Sequence, residues 1–314
     1  MPSAVTHFEG PEKKLEIILF SSRRAIRANT DGRWDRVVRA SGAEVISCIS
    51  TDAMDAYLLS ESSLFVWGDR VLMITCGQTQ LVQAVPEIME IVGRDQVAMV
   101  FYERKNLMFP SRQPADFEAD VVKLEAHFPG KSYRLGPANH DHVHVFFSSH
   151  AKIDAEHDAT FQLLMSDLDP SATEIFTDRK AGTAVQAARL SRLTGIYDGM
   201  EVDGHFFTPY GYSLNGVNGQ DYYTLHVTPQ HDGSYASFET SVIEKDYARV
   251  ISEVLSLFRP GRFSVLLTTS MDDGCLPLHE TAAVTLPGYG VTEKSLYEFD
   301  CGYAITYLNH VSTV

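Results

Sequence analysis

The sequence has few of the features that mark membrane, secreted or nucleic-acid-binding proteins. None of its 314 residues falls in an apolar run of the roughly 20 residues that a membrane-spanning helix needs. The N-terminal Met1-Pro2-Ser3-Ala4 lacks the basic and then apolar segments of a secretory leader. Basic residues are in deficit, and a formal net charge of −15 argues against binding to a phosphate backbone. We therefore expect a cytoplasmic protein that binds neither membrane nor nucleic acid and takes a small, cationic ligand.

Cysteine is also scarce, and its spacing excludes two kinds of site. The four cysteines are Cys48, Cys76, Cys275 and Cys301, with no CxxC pair, so neither a disulfide framework nor a structural zinc site is indicated. Histidine offers one metal candidate, because His140, His142 and His144 alternate and would share one face of a strand. An exposed polar strand face explains that spacing adequately, so we predict no metal.

What the chain does have is enough apolar sequence for a large core, with 44% hydrophobic and 11% aromatic residues. Strand patterns at 64–67 and 71–75 flank a Gly68-Asp69 turn and predict a hairpin, and Asn218-Gly219 predicts another. Helical spacing recurs after Leu81, after Phe117 and from about Tyr247 to Phe258. Adjacent hairpins with helices at intervals indicate an α+β fold with antiparallel sheets in one 314-residue unit without a low-complexity linker.

Five segments carry reactive side chains in patterns that ordinary strands and turns do not require. They are His7-Phe8-Glu9-Gly10-Pro11-Glu12-Lys13, Ser60-Glu61-Ser62-Ser63, Thr75-Cys76-Gly77-Gln78-Thr79, the pair Gly211-Tyr212-Ser213-Leu214-Asn215-Gly216 with His226-Val227-Thr228-Pro229, and Ser234-Tyr235-Ala236-Ser237-Phe238-Glu239-Thr240. The Ser213 and His226 pair does not indicate a hydrolase, because the surrounding residues do not form a G-x-S-x-G elbow. Glu61-Ser62, between strand-like flanks, suggests a serine hydroxyl that attacks its own preceding carbonyl.

Together, in their order and intervals, these segments resemble the eukaryotic-type S-adenosylmethionine decarboxylase family from about residue 7 to residue 240. The resemblance implies a four-layer αββα sandwich of two antiparallel sheets with an internal pseudo-repeat. It also implies a proenzyme that cleaves itself between Glu61 and Ser62 into a β chain of residues 1–61 and an α chain of residues 62–314. The new N-terminus of the larger chain would carry a pyruvoyl group made from Ser62.

The resemblance further assigns roles to single residues. The pyruvoyl group from Ser62 would form a Schiff base with the substrate amine and act as the electron sink that a decarboxylase needs. Cys76 would donate a proton to the product, Ser213 and His226 would assist self-processing, and Glu9 and Glu12 would border the active site. Phe8 and Phe207 would sandwich the adenine. The product would be decarboxylated S-adenosylmethionine, the aminopropyl donor of spermidine and spermine biosynthesis, with carbon dioxide.

Two departures from the family pattern affect what binds. Gln230 stands where the family carries a glutamate that holds both ribose hydroxyls, so the charge-assisted strength of that contact is lost. The pocket in which many animal members bind the activator putrescine would comprise Asp158, Thr160, Gln162 and Glu239. There Gln162 replaces an acidic residue, Ile74 replaces a lysine and Glu103 replaces a small polar residue. We predict weak or absent activation by putrescine.

Two other functions remain open on these departures. One is a catalytically silent paralogue that regulates an active partner, against which the retention of Ser62, Cys76, Ser213 and His226 argues. The other is a pyruvoyl decarboxylase of a different amino acid, against which the retention of both Phe8 and Phe207 argues. The resemblance allows either a monomer or a homodimer of processed protomers.

Overall fold

The structure is a computed structural model, and it describes residues 8–150, 158–177, 183–184, 186, 192–272, 274–282 and 285–313. Residues 1–7 lie outside this part, and they include Met1-Pro2-Ser3-Ala4 and His7 of the first motif. Within the described ranges, no helix combines the length and the apolar composition of a membrane span.

Sixteen strands of the described residues form two antiparallel sheets of eight strands each. The first sheet comprises β1 (Lys13–Leu19), β2 (Val45–Ser50), β3 (Met54–Leu59), β4 (Ser62–Trp67), β5 (Arg70–Thr75), β6 (Val97–Lys105), β7 (Lys131–Leu135) and β8 (Val143–Ser149). The second comprises β9 (Ala159–Ser166), β10 (Glu201–Phe206), β11 (Tyr212–Asn218), β12 (Asp221–Thr228), β13 (Tyr235–Thr240), β14 (Arg262–Ser270), β15 (Tyr289–Glu298) and β16 (Tyr303–Ser312).

The two sheets repeat one topology. The strand order is β2-β3-β4-β5-β1-β6-β8-β7 in the first sheet and β10-β11-β12-β13-β9-β14-β16-β15 in the second. Each strand of the second sheet therefore occupies the place of the strand eight positions earlier in the chain. The predicted α+β fold with an internal pseudo-repeat is confirmed.

Helices cover the outer face of each sheet. The helices of more than one turn are α1 (Arg33–Ala40), α2 (Val85–Val92), α3 (Phe117–Glu125) and α4 (Ala248–Phe258) in the described part, with single turns at Pro170–Thr173 and Leu278–Thr281. Asp116 fixes the start of α3, because its carboxylate accepts a hydrogen bond from Ala119 N at 2.8 Å. Apolar residues of α1, α2 and α3 share a core with β1 and β5, and those of α4 share one with β9 and β14. These are the outer two layers of the αββα sandwich.

The inner faces of the two sheets pack directly on each other. Phe65 on β4 lies 4.5 Å from Tyr222 on β12, measured between ring centroids, and Trp67 lies 5.6 Å from the same ring. Full burial of an aromatic side chain of this kind contributes roughly 1.5–3 kcal/mol. This apolar layer sets the spacing between the two sheets. Where polar side chains take the place of the apolar ones, the sheets enclose the candidate site.

Most predicted elements are present with shifted ends. The hairpins at β4–β5 and at Asn218-Gly219 are confirmed, the latter with Gly219 at a φ of 61°. The helix predicted after Leu81 begins as a 3-10 turn, Leu81–Ala84, and becomes α-helical at Val85. The strand predicted through the three histidines is wrong at its start, because β8 begins at Val143 and leaves His140 and His142 in the preceding loop.

Candidate active site

A tight turn presents the Glu61-Ser62 bond at the edge of a cavity. Leu59 on β3 pairs with Ser62 on β4, so Ser60 and Glu61 alone form the connection. Ser62 adopts a φ of 130°, a region that residues with a side chain rarely occupy and that costs on the order of 1–3 kcal/mol. The next strand follows closely, and Cys76 N donates a hydrogen bond to the carbonyl oxygen of Glu61 at 3.0 Å. The carbonyl ahead of Ser62 is therefore polarised, and the backbone of Ser62 itself is strained.

The cavity has a volume of about 390 Å³, within the usual size of a small-molecule site. It brings together nine of the residues that the sequence singled out, although they come from both sheets and both halves of the chain. They are Phe8, Glu9, Glu61, Ser62, Cys76, Phe207, Ser213, His226 and Gln230.

Cys76 lies beside both reactive atoms of the turn. Its Sγ is 3.6 Å from Ser62 Oγ, 3.5 Å from Glu61 O and 3.9 Å from Glu61 Oε2. Burial, with the nearby Glu61 carboxyl, raises the pKa of the Cys76 thiol well above its usual range. The sulfur therefore keeps its proton at neutral pH, as a proton donor must.

Ser213 and His226 face each other across the β11–β12 pair. Ser213 Oγ lies 2.9 Å from His226 Nδ1, and Thr224 Oγ1 lies 3.0 Å from His226 Nε2. Burial lowers the pKa of His226 to about 3, so the imidazole is neutral and keeps one nitrogen as an acceptor. Asn215 extends this network to the first sheet, where its Oδ1 accepts a hydrogen bond from Ser63 Oγ at 2.7 Å. The histidine is thus a neutral imidazole, held between two hydroxyls, on the wall of the cavity that Ser62 also lines.

The two acidic residues of the first motif have different surroundings. Both carboxylate oxygens of Glu9 accept backbone hydrogen bonds, from Met108 N at 2.7 Å and from Phe109 N at 2.8 Å. Glu9 therefore anchors the loop that forms one wall of the cavity. Glu12 is not among the cavity-lining residues, and its Oε1 accepts a hydrogen bond from Ser237 Oγ at 2.5 Å. Burial raises the pKa of Glu12 to about 8.

Gln230 has a use that its position in the sequence does not reveal. Its Oε1 accepts a hydrogen bond from Phe8 N at 3.0 Å, and its Nε2 donates one to Phe8 O at 2.8 Å. Both ends of the amide thus hold the backbone of Phe8, where the sequence had suggested contacts with a ribose. A carboxylate could not make the second bond, because it has no hydrogen to donate.

Close packing at Gly77 also holds the ring of Phe8. Gly77 has a φ of 60°, and a Cβ at this position would lie 2.6 Å from the Phe8 ring and 2.8 Å from Glu61 Oε2. Only glycine admits the ring and the carboxylate this close to the backbone.

A second polar cluster lies between the sheets and contains the residues of the predicted effector pocket. Its acidic members each have a protein partner: Glu239 pairs with Lys14 at 3.0 Å, Glu103 accepts from Gln162 at 2.9 Å, and Arg70 lies 2.7 Å from Asp158 and 3.3 Å from Glu16. Tyr222 Oη donates to Glu239 at 2.5 Å and Tyr303 Oη donates to Asp158 at 2.6 Å. Thr160 is buried on β9, two residues from Gln162.

Two cations of the chain itself, Lys14 and Arg70, offset part of the negative charge of this cluster. Burial opposes the charge on Lys14, but Glu239, Glu103 and Glu16 outweigh it and raise the pKa of Lys14. Lys14 therefore stays protonated inside the sandwich. Neither Lys14 nor Arg70 was predicted as a buried cation from the sequence, because a lysine or arginine in a strand is usually on the exposed face.

The histidines do not form a metal site with acidic or thiol neighbours. The rings of His142 and His144 lie 5.0 Å apart, and His142 Nδ1 is 2.7 Å from His140 O. Among the described residues, no group of three or more histidine, cysteine or acidic side chains is arranged to hold a metal ion.

Comparison with known proteins agrees with this geometry. A sequence profile of the adenosylmethionine decarboxylase family matches residues 5–311. The chain belongs to this family. The S-adenosylmethionine decarboxylase proenzyme of Dictyostelium discoideum is 33% identical, with 96% of this chain and 85% of that protein covered. The Xenopus laevis proenzyme is also 33% identical, over 95% of this chain and 93% of its own length.

A solved structure of the family shares the fold. The crystal structure of the Trypanosoma brucei AdoMetDC-delta26 monomer superposes with a TM-score of 0.64 at 27% identity, covering 80% of this chain and 99% of that chain. Family membership therefore accounts for the two repeated sheets.

Lys13 and Gln113 were not singled out from the sequence as site residues, and Glu61 was singled out only as the cleavage site. Lys13 Nζ donates to Gly77 O at 3.0 Å, and burial lowers the pKa of Lys13 to about 8. The carboxyl of Glu61 faces the same space, and burial raises its pKa to about 7. Gln113 lines the cavity from the loop that Glu9 anchors. Lys13 is the last residue of the first motif, and that position was the one signal available for it.

Proposed function

We propose that the chain is a self-processing, pyruvoyl-dependent S-adenosylmethionine decarboxylase of polyamine biosynthesis. The observation that carries this is the strained Ser62 placed directly after a carbonyl that Cys76 N polarises. Family membership supports the decarboxylase activity and the self-made cofactor.

Self-processing follows from the positions of the chain's own groups. Ser62 Oγ attacks the carbonyl carbon of Glu61, the peptide C–N bond breaks, and an ester joins the two residues. The hydrogen bond from Cys76 N stabilises the negative charge that develops on Glu61 O. His226, neutral through burial, then removes the α-proton of Ser62, and the Glu61 carboxylate leaves. Hydrolysis of the remaining dehydroalanine with loss of ammonia gives the pyruvoyl group at the start of residues 62–314.

The surroundings of Ser62 fit such a group. It opens into the 390 Å³ cavity and has the Cys76 thiol as a neighbour. When present, the pyruvoyl carbonyl supplies an electron sink for the carbanion that decarboxylation produces. Phe8 and Phe207, both on the cavity wall, would hold the adenine by stacking. Cys76 Sγ would deliver its proton to the substrate α-carbon after carbon dioxide leaves.

Intact-mass spectrometry of the purified protein tests the proposal, with Ser62→Ala as the inactive variant and Ser60→Ala as the matched control. Ser60 is in the same turn, and its Oγ accepts a hydrogen bond from Glu44 N, so its loss should leave cleavage intact. We expect two chains, split between Glu61 and Ser62, in the parent and in Ser60→Ala only. Cleaved parent protein should release carbon dioxide from S-adenosylmethionine. A parent chain that stays uncleaved would favour the regulatory paralogue.

We further propose that the enzyme needs no diamine activator. Each of the carboxyls of Glu16, Glu103, Asp158 and Glu239 already has a partner from the chain, and Lys14 supplies an ammonium group at Glu239. Turnover should be the same with and without putrescine at millimolar concentration. Strong stimulation would overturn this proposal without affecting the one above.

We also propose, on the family assignment, a cytosolic location and a monomer or homodimer of processed protomers. Cell fractionation tests the first statement. Sedimentation of the cleaved protein over a range of concentrations decides the second, because a dimer would dissociate on dilution.

A further inference from the structure

Gln113 is a cavity residue whose amide has no partner in the described part of the chain. It lines the same cavity as Phe8, Ser62 and Phe207. Both Nε2 and Oε1 of its side chain are buried, and neither makes a hydrogen bond. Buried amide atoms without partners are rare in folded proteins, because no hydrogen bond offsets the free energy lost when each atom is removed from water. For a residue on a cavity wall, a polar group of the bound ligand can supply the missing hydrogen bonds.

The placement of Gln113 is rigid. It follows the 3-10 turn Pro110–Arg112, and its own N–H donates to Pro110 O at 3.2 Å. Glu9 holds the start of the same loop through the backbone N–H groups of Met108 and Phe109. These contacts hold the backbone of Gln113 at the cavity wall, where its side-chain amide is buried.

The other buried amide on the cavity wall is already engaged. Gln230 gives its oxygen to Phe8 N and its nitrogen to Phe8 O and Gly233 O. It can offer a ligand no more than a spare lone pair, unless it releases Phe8. A ligand group that must both donate and accept a hydrogen bond is therefore better matched by Gln113.

We propose that Gln113 recognises the ribose hydroxyls of the substrate, while Gln230 positions Phe8. This rests on the proposed function, since S-adenosylmethionine brings a vicinal diol into the cavity. A hydroxyl is both donor and acceptor, and an amide presents one of each at adjacent atoms. Gln113 would thus determine specificity for the ribose, and Gln230 would act on adenine only through the aromatic ring that it holds.

The test compares S-adenosylmethionine with its 2′,3′-dideoxy analogue as substrates for cleaved protein. Replacing Gln113 by leucine removes the amide and keeps a similar volume. With one or two neutral hydrogen bonds lost, KM for S-adenosylmethionine should rise by roughly tenfold while kcat is nearly unchanged. KM for the dideoxy analogue should be the same in both proteins, so that discrimination between the two substrates falls towards one.

Gln230→Leu is the matched comparison, because it removes an amide from the same cavity. Through the loosened Phe8 it should raise KM for both substrates by the same factor and so preserve the discrimination. Undiminished preference for the ribose in Gln113→Leu would overturn the proposal. So would an equal loss for both substrates, which would indicate that Gln113 contacts the adenine or only supports the loop. A parent protein that cleaves itself but does not decarboxylate S-adenosylmethionine would instead refute the proposed function.

Discussion

Replacing Lys14 by methionine tests whether the chain supplies its own cation between the sheets. The substitution keeps the length of the side chain and removes the ammonium group that lies 3.0 Å from Glu239. Both side chains are only 6% exposed, so water cannot replace the lost partner. Removing one member of a buried ion pair costs about 3–5 kcal/mol, since the remaining charge is left uncompensated.

This cost converts into a measurable change in melting temperature. Unfolding entropy of about 2.1 cal/mol/K per residue gives roughly 0.7 kcal/mol/K for a chain of this length, so the midpoint should fall by about 5–8 °C. The loss should shrink as the pH is lowered. In the variant, the pKa of the Glu239 carboxyl rises further above its unfolded value, so the folded state binds a proton that the unfolded state releases, and acid stabilises it.

Differential scanning calorimetry of both proteins measures the effect, and Lys131→Met is the control. Lys131 pairs with Asp300 at 3.2 Å, but the two side chains are 67% and 93% exposed, so its midpoint should hardly change. Added putrescine should then raise the midpoint and the turnover of Lys14→Met but not of the parent, because only the variant leaves the Glu239 carboxylate without its ammonium partner. An equal midpoint for the two lysine variants, or no response of Lys14→Met to the diamine, would refute the reasoning.

Three further predictions concern single residues. Cys76→Ala should lower carbon dioxide release per cleaved chain by roughly 10²–10⁴-fold, the usual contribution of a positioned proton donor; unchanged turnover would remove Cys76 from the chemistry. His226→Ala should stop self-processing at the ester, which hydroxylamine would cleave between Glu61 and Ser62, and cleavage at the parental rate would exclude His226 as the base. His310, stacked on Phe263 at 4.5 Å with neither ring nitrogen bonded, has its pKa lowered by burial to about 4. The pKa of an unfolded histidine is about 6.5, so on acidification the unfolded state binds the proton before the folded state does. The free energy of unfolding of the parent should therefore fall by roughly 2 kcal/mol between pH 7 and pH 5 because of His310. Urea unfolding of His310→Phe should not show this loss.

The sequence was informative wherever the decisive contacts are local. The turn at Glu61-Ser62 and the strand that ends just before Cys76 belong to one pair of neighbouring hairpins, and the apolar strand-like runs around the Gly68-Asp69 turn were enough to predict them. The repeated sheets followed from the resemblance of widely spaced motifs. What the motifs could not give was the orientation of each side chain, which depends on the opposing sheet.

Lys14 and Arg70 were missed because their partners lie far away in the sequence. Lys14 and the apolar Leu15 are neighbours on a strand and point to opposite faces, which is also the pattern of an exposed lysine. Its partner Glu239 is far away in the sequence. Gln230 was identifiable as a departure from the family pattern, but the backbone of Phe8 that it holds comes from the other end of the chain. The histidine pattern also failed because of a contact that is distant in the sequence. The loop before β8 ends later than a period of two suggests, because His142 N is held by Asn106 Oδ1 at 3.1 Å.

The two polar clusters of the molecule are joined by a short length of β13, and this has a consequence for processing. Ser237 donates to Glu12 and pairs with His226 across the β12–β13 ladder, while Glu239, two residues further on the same face of β13, pairs with Lys14. Two neighbouring contacts thus join the sheets. One is the Ser237–Glu12 hydrogen bond beside His226, the proposed general base of self-processing, and the other is the Glu239–Lys14 ion pair. Loss of the Lys14 contact should loosen its neighbour, because Glu12 and Lys14 are likewise two residues apart. We therefore expect Lys14→Met to cleave itself more slowly than the parent, and putrescine to restore the rate; a cleavage rate equal to the parent's would show that the two contacts act independently.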